Sequence, residues 1–128
     1  MKKQDLGLEE LLIVAKKYAD KGDVDLTERH IGIILKYSRD HNTPLDTKAI
    51  EDIEQTAYMR GIAVCLRRAE NLSTYTDTYI QSGINGNISD VRKYMEHVDI
   101  SEEEKKSIEL RINKILETIN QRKPTPSY

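Results

Sequence analysis

The sequence predicts an all-α protein, arranged as a two-unit helical-repeat array or bundle of five to six helices. Apolar residues recur with a helical period along almost the whole chain. The stripe Leu8, Leu11, Leu12, Ala15 and Tyr18 also returns 54 residues later, with the same spacings, as Ile62, Cys65, Leu66, Ala69 and Leu72. Because tandem helical units stack on their neighbours, this internal repeat predicts that residues 8–60 recur in modified form at 62–115.

The first two helices are predicted from their capping signals. Helix one is expected from about Asp5, an N-cap residue, to Lys21, with Gly22 in the left-handed position that follows a helix. Helix two is expected to begin at Asp25 and to end near His41, because a proline follows shortly after. Its predicted inner face consists of Leu26, His30, Ile33, Ile34 and Tyr37.

The third helix is predicted to be long and shared between the two units. It begins at Asp46, with Leu45 and Ile50 placed as a hydrophobic staple, and meets no proline before about Tyr75. Its apolar arc swings by roughly 110° near Gly61, so that one helix can serve two successive cores. Two shorter helices broken at Arg60–Gly61 fit the same pattern, but we favour the continuous helix.

The second unit is predicted to differ from the first by added and removed residues. Residues 82–87, Ser-Gly-Ile-Asn-Gly-Asn, are typical of a turn, which makes Thr74–Gly83 an insertion of about ten residues. Helix four is then expected from near Ser89 to Asp99, displaced by 65 from helix two, with Val91, Tyr94, Met95 and Val98 inward. The last helix starts with a Ser101-x-x-Glu104 capping box and runs to about Asn120.

The length of 128 residues fits one domain, predicted over residues 1–121. Unit one is expected at about 5–60 and unit two at about 61–120, followed by a flexible tail at 122–128. The chain has no Phe and no Trp, so its core must consist of aliphatic residues, alanines and tyrosines. Such a composition suits closely packed helices.

Net charge and cysteine content bear on nucleic-acid binding and on the compartment in which the protein works. A net charge of −2 with both signs mixed along the chain disfavours a dedicated binder of duplex nucleic acid. The single cysteine, Cys65, precludes an internal disulfide and predicts a reducing compartment. No leader segment is recognised and the longest apolar run, 31–35, is too short to span a bilayer, so we expect a cytoplasmic protein without membrane association.

One segment carries a family resemblance. Ala15-Lys-Lys-Tyr-Ala19 together with Gly22-Asp-Val-Asp-Leu26 resembles tandem helical-repeat proteins of the tetratricopeptide type, and similar uncharacterised archaeal repeat proteins, over about residues 8–60. The chain lacks the tryptophan and proline positions of that family, and its period is longer than the roughly 34 residues of a tetratricopeptide. The resemblance implies a stacking scaffold rather than a catalyst.

No residue pattern predicts a cofactor or a metal. The histidines His30, His41 and His97 share no helical ligand spacing, and Cys65 is predicted to lie in the core. His30 is interpreted as a core histidine or as one that lines a groove. Phosphate-binding loops, dinucleotide fingerprints and hydrolase motifs are absent from the sequence, so catalysis is not expected.

Two groups of residues are candidate interaction surfaces. Arg60, Arg67 and Arg68 could bind a phosphate backbone or an acidic peptide, or could instead pair with Glu54, Glu70 or Asp52 along a solvated face. Tyr75 and Tyr79, which interrupt the repeat, are placed to share a helical face. Exposed tyrosines there are typical of recognition, although they could equally cover a terminal core.

The function predicted from these observations is a non-catalytic protein-interaction or scaffold module. Its expected partner is a protein, with a second copy of the chain among the candidates. One alternative is a nucleic-acid-binding helical protein that uses an arginine and lysine face. The other is a small enzyme or ligand carrier built around His30.

Overall fold

The computed structural model describes residues 6–75 and 78–121, without the side chains at positions 6, 78 and 79. All regular secondary structure in these ranges is helical, which confirms the predicted all-α class. The five helices of this part of the chain are α1 (Leu6–Asp20), α2 (Val24–Asp40), α3 (Thr47–Leu72), α4 (Thr78–Met95) and α5 (Glu102–Gln121). The predicted cap at Asp5 and the predicted tail at 122–128 lie outside the described residues.

The chain divides into two compact units, Met1–Gly61 and Ile62–Tyr128. We call them unit 1 and unit 2. Unit 1 contains α1, α2 and the first part of α3, and unit 2 contains the rest of α3 with α4 and α5. In the ranges that the structure describes, each unit therefore contains three helical segments.

In unit 1, α1 ends in the way that the sequence predicts. Gly22 has a φ of +75°, in the left-handed region that favours glycine. The Gly22 N–H donates to the Ala19 carbonyl at 2.9 Å and the Asp23 N–H donates to the Tyr18 carbonyl at 3.0 Å. This pair of bonds is a Schellman motif, which satisfies carbonyls that the helix itself leaves unpaired.

The start and the inner face of α2 differ from the prediction. Asp23, rather than Asp25, is the N-cap, and its carboxylate accepts from the Leu26 N–H at 3.1 Å.

The buried residues of this helix are Val24, Thr27, Ile31 and Ile34. Ile33, predicted to face inward, is 44% exposed. The prediction was wrong here because α2 carries apolar residues on two sides, and both stripes satisfy the helical period.

The third helix is continuous, as predicted. It spans 26 residues and passes Gly61 without a break. Asp46 caps it, accepting from the Lys48 N–H at 3.0 Å, and it ends at Leu72 rather than Tyr75. The apolar arc swings as expected, because Ile50, Ile53 and Ala57 are buried in unit 1 and Ile62, Cys65, Leu66 and Ala69 are buried in unit 2.

The predicted turn at residues 82–87 is wrong, because these residues lie inside α4. The helix begins at Thr78, about ten residues before the predicted start at Ser89, and ends at Met95. Ile84, Ile88 and Val91 are buried and follow one helical stripe. Burial of this stripe outweighs the low helix propensity of two glycines and two asparagines. The predicted displacement by 65 pairs exposed Ile33 with buried Val98, so burial does not follow it at this pair.

A glycine-to-alanine substitution in α4 tests this correction. Apart from the neighbouring residues and the backbone of α4 itself, a Cβ atom at Gly86 would meet no heavy atom of the described residues within 4 Å. We therefore expect Gly86→Ala to stabilise the protein by roughly 0.5–1 kcal/mol, because alanine is the better helix former. Equilibrium urea unfolding followed by circular dichroism measures the effect. Destabilisation would contradict the helix and favour a turn with left-handed backbone at this position.

The fifth helix begins at the predicted cap. The Ser101 hydroxyl accepts from the Glu104 N–H at 3.1 Å, as in the first half of a capping box. Ile100, just before the cap, is buried, and so are Ile112 and Ile115 within the helix. The two buried isoleucines of α5 lie three residues apart and define its inner face.

Candidate functional site

An open apolar groove lies between α1 and the first part of α3 in unit 1. We call it the α1–α3 groove, and its volume is about 300 Å³. The lining residues are Leu12, Ile13 and Lys16 from α1, and Ala49, Asp52, Ile53 and Thr56 from α3. A groove with apolar walls and a few polar groups is the usual form of a binding surface on a helical protein.

The helical period brings these residues together. Positions 49, 52, 53 and 56 follow the spacing i, i+3, i+4 and i+7, which is one face of α3. Ile53 is buried at the base of this face, whereas Ile13 on α1 is 58% exposed. Val14, the next residue along α1, is also among the exposed large apolar side chains. The groove therefore leaves apolar surface in contact with solvent.

One charge of each sign lines the groove on opposite helices. Lys16 comes from α1 and Asp52 from α3, and both side chains are exposed. Within residues 6–75 and 78–121 neither of them forms an ion pair. A partner that filled the groove could therefore pair with both charges.

In unit 2, charged residues cluster around Glu70. The Arg111 guanidinium binds the Glu70 carboxylate through two bonds, Nε to Oε2 at 3.0 Å and Nη2 to Oε1 at 2.5 Å. This bidentate pair joins α3 to α5. The hydrogen bonds from Arg111, with the charges of Arg111, Lys114 and Arg67, hold the pKa of Glu70 below its usual value, although partial burial opposes them.

The three predicted arginines do not form one site. Arg60 belongs to unit 1, whereas Arg67 and Arg68 belong to unit 2. All three are exposed, and the part of the chain that the structure describes contains no ion pair for any of them. The predicted alternative, in which an arginine of α3 takes Glu70 as its salt-bridge partner, is replaced by the bond from Arg111 on α5.

The two tyrosines do not share a helical face as predicted. Tyr75 lies between α3 and α4 and is 63% exposed, so it is available at the surface. The backbone of Tyr79 belongs to the first turn of α4, and its side chain lies outside the described residues. The Tyr75 ring is thus a surface group preceding the helix.

His30 lies next to an aromatic ring in unit 1. The centroids of the His30 and Tyr18 rings are 4.9 Å apart and the rings are tilted by 59°. The Nδ1 atom of His30 is buried and has no hydrogen-bond partner among the described residues. His30 is not among the residues that line the α1–α3 groove.

Cys65 occupies the core position that the sequence predicts. Its thiol is buried and free, and burial raises its pKa, with a further increase from Asp90 and an opposing effect from Arg68. A raised pKa lowers the thiolate fraction and hence the nucleophilicity of the group. We therefore assign Cys65 a packing role.

Sequence reasoning missed two residues of the charged cluster, Arg111 and Lys114. Arg111 lies 41 residues beyond Glu70, and its position next to buried Ile112 is the one signal that it faces the rest of unit 2. The sequence around Arg111 does not identify Glu70 as its partner. A contact between helices that are far apart in the sequence depends on how those helices pack.

Comparison of the chain with protein-family models, curated proteins and solved structures finds no match. The described residues contain no group of three or more His, Cys, Asp or Glu side chains that could hold a metal ion. None of the helices in those ranges is both long enough and apolar enough to cross a membrane. The α1–α3 groove and the charged residues around Glu70 are the candidate functional features of the described residues.

Proposed function

We propose that the protein is a non-catalytic protein-interaction module that associates with a second copy of itself through the α1–α3 groove. The observation that carries this proposal is the pair of unpaired charges, Lys16 and Asp52, on opposite walls of an exposed apolar surface. The charge pattern of such a surface is complementary to itself when two copies meet by a two-fold rotation.

The physical argument rests on two-fold symmetry. In an isologous dimer the same patch of both subunits meets, so each contact occurs twice. Two α1–α3 grooves related in this way bring Lys16 of each copy to Asp52 of the other. Ile13, which is 58% exposed in the single chain, then loses water contact in both copies, and each copy contributes roughly 1–2 kcal/mol. The charges fix the relative direction of the helices.

A repeated three-helix unit is the scaffold that we propose for this surface. In α2 the buried residues Thr27, Ile31 and Ile34 have the same spacing as Ile84, Ile88 and Val91 of α4, displaced by 57. The N-caps Asp46 and Ser101 are displaced by 55. These displacements lie close to the 54 of the first stripe and support a duplication. The tetratricopeptide resemblance remains a prediction.

Charge exchange at the groove tests self-association. We expect the wild-type chain to form dimers with a dissociation constant on the order of 10 µM, in the range of a weak, transient interface. Lys16→Glu and Asp52→Lys should each weaken association by roughly tenfold or more, because each places like charges opposite one another. An equimolar mixture of the two variants restores both attractive pairs and should re-form dimers. Sedimentation velocity measures the populations.

Matched controls are available one residue away. Lys17→Glu and Glu51→Lys change the charge of the same helices by the same amount at exposed positions that do not line the groove. They should leave association unchanged. The proposal is wrong if the wild-type chain stays monomeric to millimolar concentration, or if mixing Lys16→Glu with Asp52→Lys does not restore dimers.

Binding of single-stranded nucleic acid is the alternative function. It is supported by the exposure of Arg67 in unit 2 and by the lack of an ion pair for this side chain in the described ranges. Affinity for an oligonucleotide should then fall steeply between low and physiological salt. We also propose a cytoplasmic location, which is supported by the single cysteine, Cys65, because one cysteine cannot form an internal disulfide. Ligand binding at His30 remains a prediction.

A further inference from the structure

The strongest unexplained feature outside the α1–α3 groove is the set of cations around Glu70 in unit 2. Arg67 lies three residues before Glu70 on α3, and Lys114 lies three residues after Arg111 on α5. Residues three apart on a helix are neighbours on its surface. Because the bond between Glu70 and Arg111 joins the two helices, all four side chains belong to one patch.

The patch holds three positive charges and one negative charge. Arg67 and Lys114 are exposed, and neither forms an ion pair among residues 6–75 and 78–121. Arg111 uses Nε and Nη2 to bind Glu70, and a guanidinium carries five N–H donors in all. Its remaining donors, and those of the Arg67 and Lys114 side chains, have no acceptor among the described residues.

We propose that Arg67, Arg111 and Lys114 form a binding site for a phosphate oxyanion. Arginine presents its donors in a planar fork that matches phosphate oxygens, and lysine adds a compact charge. Glu70 orients Arg111 by the bidentate bond but also competes with the ligand for it. The carboxylate therefore lowers the affinity of the site while it fixes its shape.

The four side chains predict substitutions with opposite effects. Glu70→Gln removes the competing negative charge and should increase phosphate affinity roughly fivefold. The reason is that the Glu70 carboxylate repels a phosphate bound beside it. Arg67→Gln removes one of the donors and should reduce affinity by roughly fivefold or more. A surface patch with a purely structural role would show neither effect.

Arg68 supplies the matched control. It neighbours Arg67 in the sequence and is also exposed, but it acts on the thiol of Cys65 and is not among the charges that act on Glu70. Arg68→Gln changes the net charge of the protein by the same amount as Arg67→Gln. It should therefore leave binding at the proposed site unchanged.

The experiment is a titration of the full chain with inorganic phosphate, followed by amide chemical shifts at constant ionic strength. We expect saturable shifts around residues 67–70 and 111–114, with a dissociation constant on the order of 1 mM. A parallel arm measures binding of a labelled oligothymidylate by fluorescence anisotropy. Phosphate binding alone identifies a small anion as the ligand, whereas tighter binding of the oligonucleotide identifies a nucleic-acid backbone.

Three results would overturn the proposal. The first is a lack of saturable shifts with phosphate and of oligothymidylate binding in the wild-type chain. The second is an equal loss of affinity in Arg67→Gln and Arg68→Gln, which would show attraction to net charge rather than to a site. The third is reduced affinity in Glu70→Gln while its circular dichroism spectrum and melting temperature match the wild-type chain.

Discussion

Replacing Gly22 with alanine is expected to destabilise the protein by roughly 2–5 kcal/mol, a large part of the 5–15 kcal/mol that keeps a typical domain folded. Two separate costs add at this position. A residue with a Cβ atom in the left-handed region loses about 1–2 kcal/mol. The new Cβ would also lie 2.9 Å from the carbonyl carbon and oxygen of Arg60.

The second cost cannot be relieved by a side-chain rotation. The atoms nearest to the new Cβ belong to the backbone of α3, including the Gly61 nitrogen at 3.0 Å. Either α3 or the turn after α1 must shift, and overpacking of this kind costs typically 1–3 kcal/mol. Gly22 thus ends α1 and also allows that turn to approach α3 within unit 1.

Two variants separate the costs. Gly22→Asn keeps the Cβ contact but adopts left-handed backbone more readily, so it should remain strongly destabilising. Asn42→Gly removes the strain of φ +50° at an exposed turn and should be neutral or stabilise by up to about 1 kcal/mol. Urea unfolding gives the free energies, and amide exchange of α1 and α2 shows where protection is lost. A Gly22→Ala change below 0.5 kcal/mol would contradict the contact with α3.

The features that the sequence predicted well are those governed by local chemistry. Gly22 ends α1, Asp46 caps α3 and Ser101 caps α5, because each of these bonds joins residues within one turn of each other. The continuity of α3 could also be predicted from the sequence. It depends on a stretch without proline in which apolar residues recur with the helical period on both sides of Gly61.

The error in α4 has a physical cause. Glycine and asparagine at positions 83, 85, 86 and 87 favour turns locally, each by a fraction of a kcal/mol to about 1 kcal/mol. Burying Ile84, Ile88 and Val91 contributes roughly 1.5–3 kcal/mol for each side chain. The tertiary gain exceeds the local preference. It could be recognised only by giving the apolar period more weight than the turn composition.

The candidate sites could be predicted only in part, because they depend on contacts between different helices. Arg67 and Glu70 lie on one helix, so their proximity follows from spacing alone. The bond that completes the cluster joins Glu70 to Arg111 on another helix, and no local pattern encodes it. The α1–α3 groove likewise depends on how α1 approaches α3, although each wall by itself follows the helical period.

Two adjacent isoleucines of α2 show how strongly helix orientation governs stability. Ile34 is fully buried at 0% exposure, and Ile33, one residue earlier, is 44% exposed. Ile34→Ala is therefore expected to destabilise the protein by roughly 2–5 kcal/mol, through lost apolar burial and the cavity that remains. Ile33→Ala should change stability by less than about 0.5 kcal/mol. The exposed Ile33 side chain buries little apolar surface, and alanine favours the helix slightly.

The comparison isolates orientation because both substitutions remove the same atoms from the same helix. Unfolding by urea, followed by circular dichroism, gives the two free energies, and their difference should exceed about 1.5 kcal/mol. Equal losses would mean that both isoleucines pack inward, as the sequence alone suggested, and that the orientation of α2 is wrong. A clear difference would instead assign the core of unit 1 to the stripe containing Thr27, Ile31 and Ile34. That stripe is the one whose spacing matches Ile84, Ile88 and Val91, so the same measurement bears on the proposed duplication.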